Sequence, residues 1–222
     1  MLTLIHHPLS APSRKIRLQL AEKGIEFELE LEKPWDRREA FLLLNPAGEV
    51  PVLLAEDGTP IADTAAISEL LEEVHSDPSL LGTATLDRAE VRRLVGWFDG
   101  KFWREVGRNL VEEKIFRRLY GQGGPDSNAL RAGRANIHTH LDYIGWLAMR
   151  RNWLAGERFS LADIAAAAQL SVVDYLGDVP WSDHEDAKSW YARVKSRPSF
   201  RPLLADLLPG TPPPPHYADL DF

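Results

Sequence analysis

Cysteine is missing altogether from the 222 residues. That excludes a disulfide framework, a thiolate zinc site and a cysteine nucleophile, so any reactive thiol must come from a ligand. Long apolar runs are missing as well. The longest nearly uncharged stretch, residues 164–173, is far below the ~20 residues needed to cross a bilayer, and no membrane insertion is expected. Positive charge is in deficit: 26 Lys and Arg stand against 33 Asp and Glu, a net charge of −7. An acidic balance argues against nonspecific attraction to DNA, RNA or anionic lipid, so no nucleic-acid partner is expected. The opening Met1-Leu2-Thr3-Leu4-Ile5-His6-His7 has neither a basic leader nor a small-residue cleavage site. No signal peptide is expected, and the reading is a cytoplasmic protein.

What is present falls into two parts. Residues 2–6 form a short apolar run, and residues 25–31 alternate apolar side chains with Glu26, Glu28 and Glu30. Both read as strands, the second half-exposed. Between them, residues 13–23 carry apolar side chains at Ile16, Leu20 and Ala21, with proline in the lead-in and Gly24 at the exit, the punctuation of a helix. A short helix at 41–44, strands at 52–54 and 60–62 around Asp57-Gly58, and a helix at 65–74 complete an α/β domain at 1–75. Residues 76–84 read as a linker. Residues 85–207 then read as all-helical, with one long helix at 86–120, further helices at 129–150, 161–176, 184–196 and 200–207, and a Pro-rich tail at 208–222.

Four motifs bear on chemistry. In Pro8-Leu9-Ser10-Ala11-Pro12-Ser13-Arg14, a hydroxyl sits where the first strand feeds the first helix. Ser10 either caps the helix or donates to an anion, such as a ligand's thiolate, at the positive helix end. In Asn45-Pro46-Ala47-Gly48-Glu49-Val50-Pro51-Val52, a cis Val50-Pro51 bond would turn the Val50 backbone outward toward a peptide-like ligand; the alternative is an ordinary turn. Asp63 and Thr64 open the third helix, where they suit an amino-acid head group or simply cap it. Ser160-Leu161-Ala162-Asp163 is a capping box with a structural role. His138 and His140 diverge on a helix, as His6 and His7 do on a strand, so no metal site is expected. Gly121-Gln122-Gly123-Gly124 follows a helix and lacks the Lys-Ser/Thr of a phosphate loop, which makes it a connector.

The three N-terminal motifs in this order, with the capping box in a following helical domain, resemble the glutathione transferase superfamily over almost the whole chain. The resemblance implies a glutathione transferase fold, with a thioredoxin-like N-terminal domain and a helical C-terminal domain, and commonly a homodimer. It implies a glutathione pocket in which Val50, beside cis Pro51, pairs with the ligand backbone, Asp63 and Thr64 hold its γ-glutamyl end, and Ser10 occupies the activating position. Lys33 or Arg37 would take its glycine carboxylate.

The segment Trp97-Phe98-Asp99-Gly100-Lys101-Phe102-Trp103-Arg104-Glu105-Val106, then Glu112-Glu113-Lys114, and the ending Pro212-Pro213-Pro214-Pro215-His216-Tyr217-Ala218-Asp219-Leu220-Asp221-Phe222 narrow this further. They resemble a bacterial cell-division branch of the superfamily that binds filaments of the tubulin-like FtsZ. That branch implies filament binding and shaping during constriction on a noncatalytic scaffold, with no cofactor; the alternative is a working transferase that conjugates glutathione to an electrophile, with Ser10 catalytic. The four prolines form a stiff spacer of roughly 12 Å. Tyr217, Asp219, Leu220, Asp221 and Phe222 at and beyond its end should dock either on their own helical domain or on a partner. Trp35, among Lys33, Asp36, Arg37 and Arg38, is expected to be exposed, as a partner contact or as a lid over the pocket.

Overall fold

The computed structural model describes residues 1–220, and its chain divides into two compact units, Met1–Ser79 and Leu80–Phe222. The division falls inside the segment 76–84.

In the first unit, β1 (Leu2–His6), α1 (Ala11–Glu22), β2 (Phe27–Leu31), a 3-10 turn (Pro34–Asp36), α2 (Glu39–Leu44), β3 (Val52–Leu54), β4 (Pro60–Ala62) and α3 (Thr64–Val74) follow in order. The sheet order is β2-β1-β3-β4, with β1 and β2 parallel and the other pairs antiparallel, the thioredoxin-like arrangement. Alternation along the strands feeds two cores. Leu4 and Leu53 pack with Ile16 and Leu20 of α1 and with Ile67 and Leu71 of α3. Their neighbours Ile5 and Val52 face the opposite side and pack with Phe41 of α2.

Strand β2 departs from its sequence pattern. Its alternation promised one buried face, yet Leu29 and Leu31 are exposed by 46% and 54%. It is the edge strand of a four-stranded sheet, with a neighbour on one side only.

The second unit is helical. Helix α4 (Thr85–Gly96) runs without a break into Trp97–Phe116, which is wound in the wider π register, and then into α5 (Arg117–Leu119). At the end of the π segment the Arg117 N–H reaches back five residues to the Glu112 carbonyl. The chain then turns at Gly121, whose φ of +69° lies in the left-handed region. Helix α6 (Ser127–Ala148) packs along the π segment, and every residue of α7 (Leu161–Tyr175) is buried. Helix α8 (Glu185–Lys195) follows. The expected helix at 200–207 contracts to α9 (Arg201–Leu204).

The capping box at α7 is formed: the Ser160 N–H donates to Asp163 Oδ2 at 3.1 Å, and the Ala162 N–H donates to Ser160 Oγ at 3.3 Å. Asp163 also accepts from the Leu154 N–H and from Trp190 Nε1 at 2.9 and 3.0 Å. It therefore fixes a loop and a second helix as well as its own. Burial pushes its carboxyl above the usual carboxylate range, and these donors oppose that shift.

Candidate functional site

The registers of the first unit gather the N-terminal candidates at one end of the sheet. Ile5 of β1 pairs with Val52, and Val52 pairs with Ala62, so His6 and His7, Val50 and Pro51, and Asp63 and Thr64 leave the sheet together. His6 also pairs with Leu31, which brings Lys33 and Trp35 to the same end. Ser10 follows on the turn into α1.

That turn is tied down residue by residue. The His7 N–H donates to Ser13 Oγ at 3.4 Å, the Leu9 N–H donates to His7 Nδ1 at 3.3 Å, and Arg14 Nε donates to the Pro8 carbonyl at 2.6 Å. Ser10 is the N-cap of α1, its Oγ accepting the Ser13 N–H at 3.2 Å. A hydroxyl that accepts in this way keeps its own proton to donate, so the cap and a hydrogen bond to an anion are compatible. Burial holds His6 at a pKa of about 3, helped by Arg17, His7 and Arg14. His7 is held at about 4 by burial, Arg14 and Lys33. Both rings are neutral at physiological pH.

The Val50-Pro51 peptide is cis. Before it, Asn45 braces its own loop, Nδ2 donating to the Glu49 carbonyl at 2.8 Å and Oδ1 accepting the Ala47 N–H at 3.1 Å. Arg37, at a left-handed φ of 44°, brings a guanidinium nitrogen to 3.5 Å from where a Cβ on Gly48 would lie. The loop therefore has a cation at its shoulder. Asp63, at φ 78°, caps α3 by accepting the Ala65 and Ala66 N–H groups at 2.8 and 3.1 Å. Lys33, Arg37 and Asp63 are exposed, and Thr64 and Val50 are half-buried. The arrangement offers a helix N-terminus with a hydroxyl, a loop backbone beside a cis proline, a second helix N-terminus with an acid, and surface cations.

Trp35 is not the freely exposed ring expected of it. It is half-buried, its ring T-shaped against His7 with centroids 5.1 Å apart. Trp97 is half-buried as well, whereas Trp190 is fully buried. Sequence reasoning missed His7 as the support of Trp35; the signal available was an apolar strand ending in two histidines with no metal-ligand spacing.

The C-terminal candidates lie in the other unit, and here a correction is due. Tyr217 is fully buried, its ring T-shaped on Tyr175 at 5.2 Å and its hydroxyl donating to the Leu203 carbonyl at 3.2 Å. It docks on its own helical unit and cannot be a surface contact for a partner. Asp219 is exposed and Leu220 half-buried; Asp221 and Phe222 lie outside the described residues. Among the described residues no group of three or more His, Cys, Asp or Glu could hold a metal ion.

A family model described as the glutathione S-transferase N-terminal domain matches residues 9–74, and one for the C-terminal domain matches residues 137–198. Along its whole length the chain is similar to FtsZ-localized protein A of Caulobacter vibrioides, 50% identical over 223 residues that cover 99% of this chain and 98% of that protein. The chain belongs to the glutathione S-transferase family. Solved structures of family members agree with this. A glutathione S-transferase from Rhodospirillum rubrum F11 matches with a TM-score of 0.98 and 58% identity, covering 100% of both chains. FzlA from C. crescentus matches with a TM-score of 0.96 and 50% identity, covering 100% of this chain and 99% of that one. The chain has the glutathione transferase fold, and its Ser10, Val50-Pro51 and Asp63-Thr64 fall within the matched N-terminal domain.

Proposed function

We propose that this protein associates with FtsZ filaments and organises them at the division site of a bacterial cell, using a glutathione transferase scaffold for binding. The observation that carries this reading is similarity from end to end: 50% identity to FtsZ-localized protein A over 99% of the chain, against 27% over 89% for glutathione S-transferase F7 of Arabidopsis thaliana. The likeness to the first extends through the C-terminal segment. Also supporting it is an exposed acid, Asp219, placed just beyond a docked anchor, Tyr217.

The test is co-sedimentation with FtsZ assembled by GTP, with and without glutathione. The protein should enter the pellet in proportion to polymer, and glutathione should leave that fraction unchanged. Protein that stays in the supernatant whether FtsZ is assembled or not refutes the proposal. Ser10→Ala separates the scaffold's pocket from the binding surface: it should leave the pelleted fraction unchanged while removing a helix cap worth about 1 kcal/mol. The same proposal includes a homodimer, for which sedimentation velocity should give about twice the chain mass of 25.0 kDa.

A further inference from the structure

Two imidazoles face each other where α6 meets the start of α8. His138 Nδ1 lies 2.8 Å from His184 Nε2, and the ring centroids are 5.0 Å apart. The other ring nitrogen of His184, Nδ1, is 3.0 Å from Asp142 Oδ1. His138 and Asp142 stand four residues apart on α6 and so share one face of it. His184 is the N-cap of α8, and its backbone is pinned on both sides: its N–H donates to the Trp181 carbonyl at 3.2 Å, and its carbonyl accepts the Lys188 N–H at 2.9 Å. The two helices are close beside it, since a Cβ on Gly145 would lie 3.3 Å from Asp186 Cβ. Water reaches the cluster, for His138 is half-buried and Asp142 exposed. The sequence offers His138 only His140 as a near companion, and the two diverge as expected: His140 turns inward, between Trp97 Nε1 and Glu105 Oε2. The ring that does face His138 comes from 46 positions away.

An ionised carboxylate only accepts, so Asp142 fixes the proton of a neutral His184 on Nδ1 and leaves a lone pair on Nε2. His138 then donates from Nδ1. A carboxylate behind one nitrogen and a lone pair on the other is the arrangement that orients a metal-ligating histidine and makes it a better donor. Two nitrogens each about 2.0–2.1 Å from one ion stand about 2.9 Å apart at a right angle and about 3.4 Å apart at the tetrahedral angle. The observed 2.8 Å falls just short of that range, so a small pivot of the rings that aims both lone pairs at one point makes room for an ion. For His138 to ligate, its proton passes through water from Nδ1 to Nε2, and the neutral pair binds without net loss of a proton.

We infer that His138 and His184 form a two-histidine site for a divalent transition-metal ion of the Ni²⁺, Cu²⁺ or Zn²⁺ kind, with Asp142 as the positioning residue behind His184. Imidazole selects these ions over Mg²⁺ and Ca²⁺, which take oxygen ligands. Among the described residues no third His, Cys, Asp or Glu joins the pair as a ligand, so water fills the remaining positions. A bound ion would staple α6 to the first turn of α8. The inference is independent of the FtsZ reading.

The experiment titrates Ni²⁺, and separately Zn²⁺, into the untagged full chain by calorimetry after treatment with EDTA. The chain should take up one equivalent of either ion, and Mg²⁺ should not bind. His138→Gln, whose amide still donates to His184 Nε2, and His184→Gln should each weaken binding by about tenfold or more, and Asp142→Ala by about tenfold. His75→Ala changes an exposed histidine elsewhere and should bind as the wild type does. Ni²⁺ should also raise the urea midpoint of the wild type and not that of His138→Gln, a readout in which the variant's own cooperative transition shows that it folds.

A wild-type chain that takes up no equivalent at metal concentrations up to about 0.1 mM overturns the site. So does binding that survives either glutamine variant, or that falls as far in His75→Ala. Asp142→Ala that binds as tightly as the wild type overturns the positioning role of the carboxylate.

Discussion

At neutral pH His6 and His7 carry no charge, and this sets how the site end of the sheet responds to acid. In the unfolded chain both rings titrate near 6.5, whereas in the folded chain burial delays them to about 3 and about 4. Below 6.5 the unfolded chain takes up protons that the folded chain refuses, so stability is complete above that pH and falls as pH drops toward 4. The slope should reach about 1.4 kcal/mol per pH unit for each histidine. Glu90, held at about 2 by Arg93 and Arg151, loses its contribution only below its ordinary value of 4.5, so the interval from 4.5 to 6.5 isolates the histidines from that ion pair. His7→Asn keeps an acceptor for the Leu9 N–H and should flatten the urea midpoint against pH. A profile as steep as the wild type's would show that His7 does not contribute. Asp163 shows the same economy of position: Asp163→Ala orphans the Leu154 N–H and Trp190 Nε1 and should cost about 3 kcal/mol in urea unfolding. The capping role of Asp163 is plain in the spacing Ser160-x-x-Asp163. The reach to Trp190 is not, because no local pattern encodes a contact across 27 positions.

Among the elements, the long helix shows where a sequence pattern is ambiguous. Phe98, Phe102, Val106 and Leu110 are all fully buried, and they recur at strict steps of four. In an α-helix of 3.6 residues per turn each such step rotates the stripe by about 40°, so from Phe98 to Leu110 it would drift by roughly 120°. The wider winding from Trp97 to Phe116 turns less per residue, so steps of four no longer run ahead of the turn, and all four side chains stay buried. The apolar spacing announced a helix, and only its strictness hinted at the register. Most other elements were legible because their stop signals are chemical: Gly24 after α1, Asp57-Gly58 between β3 and β4, Gly121 after α5. Exposure of β2 was not, since alternation says which residues share a face and not whether anything covers it. The close approach of α6 to the π segment gives a direct check. A Cβ on Gly133 would meet Leu110 Cγ at 2.7 Å and Asn109 Cβ at 2.9 Å, and both neighbours are held by the packed helix. Gly133→Ala should destabilise the protein by about 1–3 kcal/mol despite its better helix propensity. A gain in thermal stability would mean that the two helices are free to part.

For the molecule as a whole, the consequence of the docked C-terminal segment is that deleting it is not a clean test of binding. The tail was legible as an apolar element on a stiff spacer, and both destinations fitted that pattern; which side chain goes inward depends on a pocket assembled from Tyr175, Lys195 and Leu203, residues far apart in sequence. Ending the chain at Leu207 removes Tyr217 from that pocket and leaves the Lys195 ammonium without its carbonyls. The loss of a buried aromatic alone is worth about 3 kcal/mol or more, and at roughly 2–4 °C per kcal/mol for a chain of this size the melting temperature should fall by about 6–12 °C. Asp219→Lys keeps the backbone carbonyl in place for Lys195 but replaces a carboxylate that favours the Lys195 ammonium with a cation, so its melting temperature should fall, by less than the truncation's does. If Asp219 contributes to the partner surface, Asp219→Lys should nevertheless weaken co-sedimentation with FtsZ as much as the truncation does. Should the truncated chain alone lose binding, with Asp219→Lys and Leu220→Glu pelleting like the wild type, the segment acts as a brace for the helical unit and the FtsZ-contacting residues lie elsewhere.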